Sequence, residues 1–466
     1  MNVTKSQCPY CGVGCGLKMR PKNSVSDDKW LVSGDRDTPS TLGKLCVKGA
    51  TVCETLKEGR LKEPLYRENL NEEFKKISWD ESYKILKENI LSSIKNHGPD
   101  SIAMYGSGQF HTEDYYIAQK LLKGAIGTNN FDANSRLCMS SAVAGYNRSF
   151  GSDGPPCCYE DIDHCSSIFL IGTNTAECHP VLFDRIKKRK RNVNDNLKVV
   201  VIDPRETETA SIADFYLQIA SGTDLFLFIG IANYLYKNKL TEQNFIEKST
   251  ENYDHFVKHI QTWDLKKISE ICNISKQAII DIAKLWGESK NVLSLWSMGL
   301  NQRQEGTATV NGLINLHLMT GQLGKAGAGP FSLTGQPNAM GGREAGGLSH
   351  LLPGYRFVKN KIDRNEIEKI WGFPIGKISE KQGLSAWEQI EAINKGTVKI
   401  WWIAATNPLV SMPNLNFVKK ALLKCPFIIL NESYEQSESI KFAHLVLPAA
   451  QWSEKDGVMT NSERRV

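Results

Sequence analysis

The apolar positions of this chain gather into short runs separated by longer polar stretches. Ile168 to Ile171, Val199 to Ile202, Ile400 to Ile403 and Phe427 to Leu430 are each apolar at every position and end in turn or polar residues. Such runs predict strands of parallel sheets, buried on both faces. Ser78-Trp79-Asp80-Glu81 carries the Ser and Glu of a capping box and predicts the start of an amphipathic helix. From there strand and helix alternate, the pattern of an α/β fold, and each strand's carboxyl end offers a loop for ligand binding. The interval from Gly306 to Gly354 is rich in glycine and reads as irregular loop that crosses between domains and lines a site.

The strand pattern repeats. Ile168-Phe-Leu-Ile-Gly-Thr-Asn174 is similar to Ile400-Trp-Trp-Ile-Ala-Ala-Thr-Asn407, each a strand ending in Thr-Asn. A second strand follows each, leaving through Asp203-Pro-Arg-Glu206 in one case and Asn431-Glu432-Ser433 in the other. Ala213-Asp214-Phe-Tyr-Leu then matches Ala443-His444-Leu-Val-Leu. The paired order implies two pseudo-equivalent nucleotide-binding units. No G-x4-G-K-[S/T] occurs, so side chains and strand ends must hold the ligands.

At 466 residues the chain exceeds one compact core, and its length suggests roughly three domains. No apolar run reaches the ~20 residues that span a bilayer; Phe226 to Tyr236 is the nearest, so no membrane partner is expected. The start leaves no room for a signal peptide before Cys8, and a cytoplasmic location is expected. A net charge of +6 favours anionic partners only weakly. The run Lys187-Lys188-Arg189-Lys190-Arg191 reads as a solvated helix end, with partner docking as the alternative. No aromatic residue interleaves with it, so nucleic acid is not expected.

Twelve cysteines in such a chain argue against a disulfide framework, and five of them fall before residue 54. Cys8-x2-Cys11-x3-Cys15-x30-Cys46 puts three thiols on one loop and a fourth on a distant arm, a spacing that suits a cubane cluster. Gly12, Gly14 and Gly16 let the backbone wrap it. Structural zinc is the competing reading. Cys53 is expected in a helix, as buried packing. Further on, Asn134-Ser-Arg136-Leu-Cys138-Met139 opens a run of small residues suited to a closely packed helix. A thiol near a helix N-terminus has a lowered pKa and serves as nucleophile or metal ligand; a plain buried cysteine is the alternative.

Together these motifs resemble the molybdenum bis-molybdopterin guanine dinucleotide oxidoreductases. The resemblance rests on the cysteine motif with Lys48 after it, on Asn134-x3-Cys138-Met139, and on Ile171-Gly-Thr-Asn174-x2-Glu177-x-His179-Pro180. Met298-Gly-Leu-Asn-Gln302, Thr334 to Glu344 around Arg343, and Leu447-Pro448-x3-Trp452-x-Glu454-Lys455 extend it across essentially the whole chain. Within the family the chain is most similar to nitrate reductases of the cytoplasmic assimilatory branch, where Met follows the metal-binding cysteine; formate dehydrogenases usually have His there, and a formate dehydrogenase-like enzyme is the alternative. A cluster-binding subunit without molybdenum would lack the cysteine found here as Cys138.

The resemblance implies an α/β fold: a small iron–sulfur domain over residues 1–57, and two parallel-sheet dinucleotide-binding domains related by pseudo-symmetry, 58–137 with 331–466, and 138–330. The family's C-terminal β-barrel is expected to be missing, as from a truncated chain, making that part of the same protein a partner. The implied reaction is molybdenum-dependent reduction of nitrate to nitrite by oxygen-atom transfer. Electrons would enter through a 4Fe-4S cluster on Cys8, Cys11, Cys15 and Cys46, from ferredoxin, flavodoxin or an NADH-linked partner. By position, Cys138 ligates molybdenum, Lys48 lies between cluster and pterin, and Arg343 orients nitrate, a salt bridge being its alternative role. The implied cofactor-binding residues are Lys48, Gln109, Asn134, Gly172, Asn174 and Glu177, followed by Asp203, Gly222, Asp224, Met298 and Gln302. Asn407, Glu432, Ser433 and Lys455 complete them. Cys157, Cys158, Cys165, Cys272 and Cys425 are expected to pack only.

Overall fold

A computed structural model describes residues 3–22, 30–56 and 58–466. The N-terminal part is an antiparallel sheet of Thr4–Gln7, Gly16–Pro21 and Trp30–Gly34, in the register Gln7 to Gly16 and Leu17 to Gly34. The loop carrying Cys8, Cys11 and Cys15 joins its first two strands, and Cys46 immediately precedes the short helix Val47–Ala50.

Two larger sheets follow. One is wholly parallel, in the order Phe215–Leu217, Lys198–Ile202, Ser167–Ile171, Val292–Trp296, Gly329–Ser332. The other carries the parallel strands Leu445–Pro448, Phe427–Glu432, Ile400–Ala404, Ile102–Gly106 and Phe131–Ala133, with Leu65–Tyr66 and Lys75–Lys76 antiparallel along one edge. Their parallel strands correspond one to one across the sheet. In the first unit the last two strands of that order come late in the chain; in the second they come early. Among the described residues no sheet closes into a barrel.

The equivalence extends to single bonds. Gly172 and Ala405 both take left-handed backbones, at φ 54° and 51°. Their amides donate to Ile202 O and Asn431 O, each at 2.9 Å. The Asn174 Oδ1 accepts from Thr209 Oγ1 at 3.0 Å, and the Asn407 Oδ1 from Ser439 Oγ at 2.9 Å. Glycine adopts that turn freely, whereas alanine at 405 holds it at a cost of about 1 kcal/mol. The loop geometry is thus imposed by the strand-end bonds, not by glycine.

Two expectations are corrected. The interval Gly306 to Gly354 is not loop throughout: it holds the helix Gly306–Met319, the strand Gly329–Ser332 and the helix Ala339–Glu344. Its glycines mark close approach. A Cβ at Gly306 would collide with Asn301 O, and one at Gly145, on the facing helix Ser135–Phe150, would collide with Val310. Cys53 lies in the 3-10 turn Val52–Leu56, where it is buried against Met19. The helix at Ser78 forms as Trp79–His97 with both capping-box bonds made. The apolar run near residue 230 becomes the buried helix Asp224–Lys237, and among the described residues no helix is long and apolar enough to cross a membrane.

His317 sits inside this core, its ring 4.8 Å from Trp286. Its Nε2 accepts from Ser294 Oγ at 2.6 Å and its Nδ1 donates to Gln322 O at 3.1 Å. Burial pushes the imidazole down to about 3, from an ordinary 6.5. The unfolded chain therefore binds a proton here below about pH 6.5 that the folded chain refuses until about pH 3. The stabilisation is complete above that window and lost as pH falls through it. The urea midpoint should drop steadily on acidification from neutral pH, and His317→Gln, which cannot ionise, should flatten the drop.

Candidate functional site

The four N-terminal cysteines converge. Cys8 and Cys15 are buried, Cys11 and Cys46 half-buried, and the Cys8 amide donates to Cys15 O at 2.8 Å. A Cβ at Gly49 would stand 3.7 Å from Cys8 Sγ, which places the second arm against the first. Burial pushes the Cys8 thiol up to about 12, and the neighbouring Cys11 and Cys46 add to it. Burial likewise raises Cys15, with Cys11, Cys8 and Cys46 contributing. Crowded, desolvated thiols of this kind are stable as thiolates only around positive charge, so the donor set fits a metal cluster. Lys48 is exposed on the helix after Cys46, and its charge acts on both Cys11 and Cys178, between the cysteine loop and the Gly172–Cys178 loop.

Cys138 is the fourth residue of the helix Ser135–Phe150 and is buried. Its environment raises the thiol, contrary to the lowered value expected at a helix start, because desolvation outweighs the Gly335 amide and the Arg343 charge. Asn301 and Gln302 fix the helix by donating to Cys138 O at 2.8 Å and Leu137 O at 2.5 Å. A Cβ on Gly335 would lie 3.9 Å from both Cys138 Sγ and Met298 Cε.

Gly335 also joins this pocket to the cysteine loop. Its amide faces the Cys138 sulfur, and its carbonyl accepts from the Gly12 amide at 3.2 Å. Gly12 has no room for a side chain: a Cβ would collide with Thr334 O and Ser462 Oγ. The Gly12 carbonyl accepts from Ser462 N and Ser462 Oγ, both at 2.8 Å, and from Tyr159 Oη at 3.0 Å.

The remaining expected residues fall at the carboxyl edges of the two sheets. Gln109, Asn134, Asn407, Glu432, Ser433 and Lys455 line one cavity of about 930 Å³. Pro9 and Tyr10 of the cysteine loop close it on one side, and Gln109 Nε2 donates to Pro9 O at 3.1 Å. Asn134 is a tie between strand ends, accepting from Gly108 N at 2.6 Å and Gln336 Nε2 at 2.8 Å while donating to Thr406 Oγ1 at 3.2 Å. Lys455 pairs with Asp114. Gly172, Asn174, Glu177, Asp203, Gly222, Asp224, Met298 and Gln302 lie along the other edge. There the carboxylate of Asp224 is taken by Arg303 Nη1 at 2.7 Å, and Asp203 Oδ1 accepts from the Arg205 amide at 2.9 Å.

Arg343, on the helix Ala339–Glu344, is buried with its Nε 3.2 Å from Asp153 Oδ2. The salt bridge is therefore with Asp153; Glu344 instead accepts from Thr460 Oγ1 at 2.8 Å. The pair is close but misaligned: Arg343 Nε and both Asp153 oxygens remain without a hydrogen bond. A buried guanidinium with an unused edge fits an anionic ligand. Asp153, in Gly151-Ser-Asp-Gly154, carries no periodic or motif signal. His350 and Arg136, which stand near Arg343, also went unassigned, although Arg136 lies two residues before Cys138.

Comparison with known proteins accounts for the whole chain. The molybdopterin oxidoreductase Fe4S4 domain matches residues 1–58, and the molybdopterin oxidoreductase family matches residues 60–466. A nitrate reductase of Synechocystis sp. is 52% identical over all of this chain and 65% of that protein. The periplasmic nitrate reductase of Desulfovibrio desulfuricans is 41% identical, over 99% of this chain and 62% of its own length. The assimilatory nitrate reductase catalytic subunit of Bacillus subtilis is 36% identical, over 99% and 64%. The chain thus spans 62% to 65% of these relatives. The acetylene hydratase of Pelobacter acetylenicus shares the fold, with a TM-score of 0.78 over 97% of this chain and 63% of that one, at 18% identity.

The glycine contact gives a direct test. Gly12→Ala should lower the thermal midpoint by a few degrees, the effect of about 1–3 kcal/mol of overpacking. Calorimetry of the purified protein reads it, and an unchanged midpoint would show that Thr334 and Ser462 yield without cost.

Proposed function

As the chain belongs to the molybdopterin oxidoreductase family, we propose that it carries the cluster and cofactor-binding units of an enzyme that reduces nitrate to nitrite. The observation that carries the reading is the seat of Cys138, buried beside Met139, Met298 and Arg343 and one residue contact from the cysteine loop. The names of the relatives point the same way. Met139 stands where formate dehydrogenases of the family usually have His.

In this reading the division into 1–57, 58–137 with 331–466, and 138–330 holds one cluster and two pterin dinucleotides. Cys8, Cys11, Cys15 and Cys46 hold a 4Fe-4S cluster. Zinc would draw four sulfurs to about 3.8 Å from one another. Among the described residues, the group that gathers three ligand atoms within 4.8 Å is Cys158, Glu160 and Glu463, so the quartet stands wider than a zinc site. The bis-molybdopterin guanine dinucleotide would lie along the two strand edges, on the residues placed there above. Cys138 would be its metal ligand and Lys455 would neutralise phosphate. When bound it supplies oxygen-atom transfer and two-electron chemistry.

The chain's own residues bind and orient the anion. Arg343 presents a planar fork that matches a planar oxyanion, and Asp153 holds that fork in place. Met139 and Met298 close the pocket to water. Lys48, whose charge acts on both Cys11 and Cys178, would help hold the pterin beside the cluster. Ferredoxin, flavodoxin or an NADH-linked protein supplies the electrons.

The cofactor-loaded enzyme should contain iron and molybdenum and should re-oxidise reduced viologen when nitrate is added. Reduction of oxidised viologen by formate instead would replace this reading with the formate one. Arg343→Lys keeps the charge beside Asp153 but loses the fork. It should raise the KM for nitrate by about tenfold or more with both metals retained. An unchanged KM would remove Arg343 from substrate binding.

A further inference from the structure

His179 is fully buried at the turn between the helices Thr175–Cys178 and Pro180–Arg191. Its backbone is held from both sides. The His179 amide donates to Thr175 O at 3.0 Å, and its carbonyl accepts from the Leu182 and Phe183 amides at 3.0 and 3.1 Å. Pro180 further narrows the backbone choices of the residue before it. The ring is thus delivered to one place, where Nε2 stands 3.0 Å from Thr334 O. A carbonyl has no proton to give, so Nε2 carries the hydrogen and donates. Nδ1 is left bare, buried without a partner. Burial pushes the imidazole below its ordinary 6.5, which keeps the ring neutral.

A histidine that only filled space would be a poor choice here. Its unpaired Nδ1 carries a desolvation cost that an apolar side chain would not. What the ring supplies is a hydrogen bond to Thr334 O. The other candidate donor is Ser462 Oγ, 3.3 Å from Thr334 O but 2.8 Å from Gly12 O. A hydroxyl has one hydrogen, and the shorter contact takes it. Thr334 O therefore depends on His179.

That oxygen belongs to the peptide unit whose other end is the Gly335 amide. In a trans peptide the C=O and the N–H point in opposite directions. His179 stands at one end of the unit. Cys138 stands at the other, where the Gly335 amide faces its sulfur and a Cβ on Gly335 would lie 3.9 Å from it. Hydrogen bonds in series polarise one another, so a donor on the carbonyl oxygen strengthens the N–H of the same amide. Gly12 packs against Thr334 O and leaves the unit little room to rotate.

We propose that His179 is a positioning residue for the Cys138 sulfur: through the Thr334–Gly335 peptide it aims and strengthens the amide hydrogen bond that this sulfur accepts. The inference rests on the reading of Cys138 as a metal ligand, and not on the choice of nitrate. A hydrogen bond to a ligand sulfur draws electron density from it and favours the reduced metal. Weakening that bond favours the oxidised one.

The test compares His179→Leu, His179→Asn and His179→Gln in the cofactor-loaded enzyme. The first removes the donor, the second keeps an N–H that stops short of Thr334 O, and the third sets an N–H near the place of Nε2. Redox titration followed by the molybdenum electron paramagnetic resonance signal should show the Leu and Asn variants shifted about threefold toward the oxidised metal, at a lower midpoint potential. The Gln variant should stay close to wild type. Hydrogen exchange at the Gly335 amide, read by mass spectrometry on the same preparations, should quicken severalfold in the Leu and Asn variants and recover in Gln. Iron and molybdenum contents and the thermal midpoint are read alongside. A wild-type potential or unchanged exchange in His179→Leu or His179→Asn overturns the proposal. So does a Gln variant as displaced as Leu, or loss of both metals with a lower thermal midpoint in all three, since those mark plain packing. Loss of molybdenum alone in His179→Leu, restored in His179→Gln, supports it. If formate and not nitrate proves to be the substrate, the reductase reading fails and the shift in potential stands. If the wild type binds no molybdenum, the metal-ligand reading of Cys138 fails, and the exchange result alone upholds or overturns the positioning.

Discussion

The rest of the structure depends on a contact that only glycine permits. Gly12 lies against Thr334 and Gly335 with no space for a methyl group, and its carbonyl collects three donors from Ser462 and Tyr159. Four segments far apart in the chain meet there: the cysteine loop, the Tyr159 region, the loop after Ser332 and the residues around 462. His179 adds a fifth by placing its Nε2 3.0 Å from Thr334 O. Because Gly335 also turns its amide to the Cys138 sulfur, the junction fixes the separation of the two redox candidates. Electron transfer between such centres is a matter of distance, and here the distance is set by hard-sphere packing.

The two sheets supply what the junction joins. Each ends its central strand in a left-handed residue followed by Thr-Asn, and each ties that Asn to a 3-10 turn after the next strand. Two equivalent edges suit a cofactor made of two similar halves. The units nevertheless use their edges differently. The seven-stranded sheet encloses a cavity against the cysteine loop, whereas the five-stranded sheet commits Asp224 to Arg303.

Charge organises the space near Cys138. Arg343 faces Asp153, Arg136 faces Asp132, and Lys123 is wrapped in backbone carbonyls. A buried charge without a partner would cost several kcal/mol, so each of the two arginines is matched by a carboxylate, while burial pushes the Lys123 ammonium down to about 7. What differs is the alignment. Arg136 meets Asp132 with two good hydrogen bonds, while Arg343 and Asp153 meet without one. The first pair is scaffold, and the second keeps its bonding capacity for a ligand.

Sequence alone determined four of the parallel strands, because runs such as Val199 to Ile202, apolar at every position, suit burial on both faces of a parallel sheet; the order in which the strands pair came only from the tertiary structure. Sequence also determined the loop of Cys8, Cys11 and Cys15, because that spacing is local, with Cys46 as a candidate from a distant arm, and it marked Cys138 and Arg343 through family motifs. It misread Gly306 to Gly354 as loop: glycine there serves close helix packing, which depends on a neighbour distant in the chain. It gave Cys138 a lowered thiol, because the helix end is local information and burial is not. Asp153, His350 and Lys123 were beyond its reach for the same reason. Their roles exist only once Asp153 meets Arg343 and the Lys123 turn meets the loop at 346–351. Only the tertiary structure brings those partners together, since long-range pairing of buried charges leaves no periodic trace along the chain.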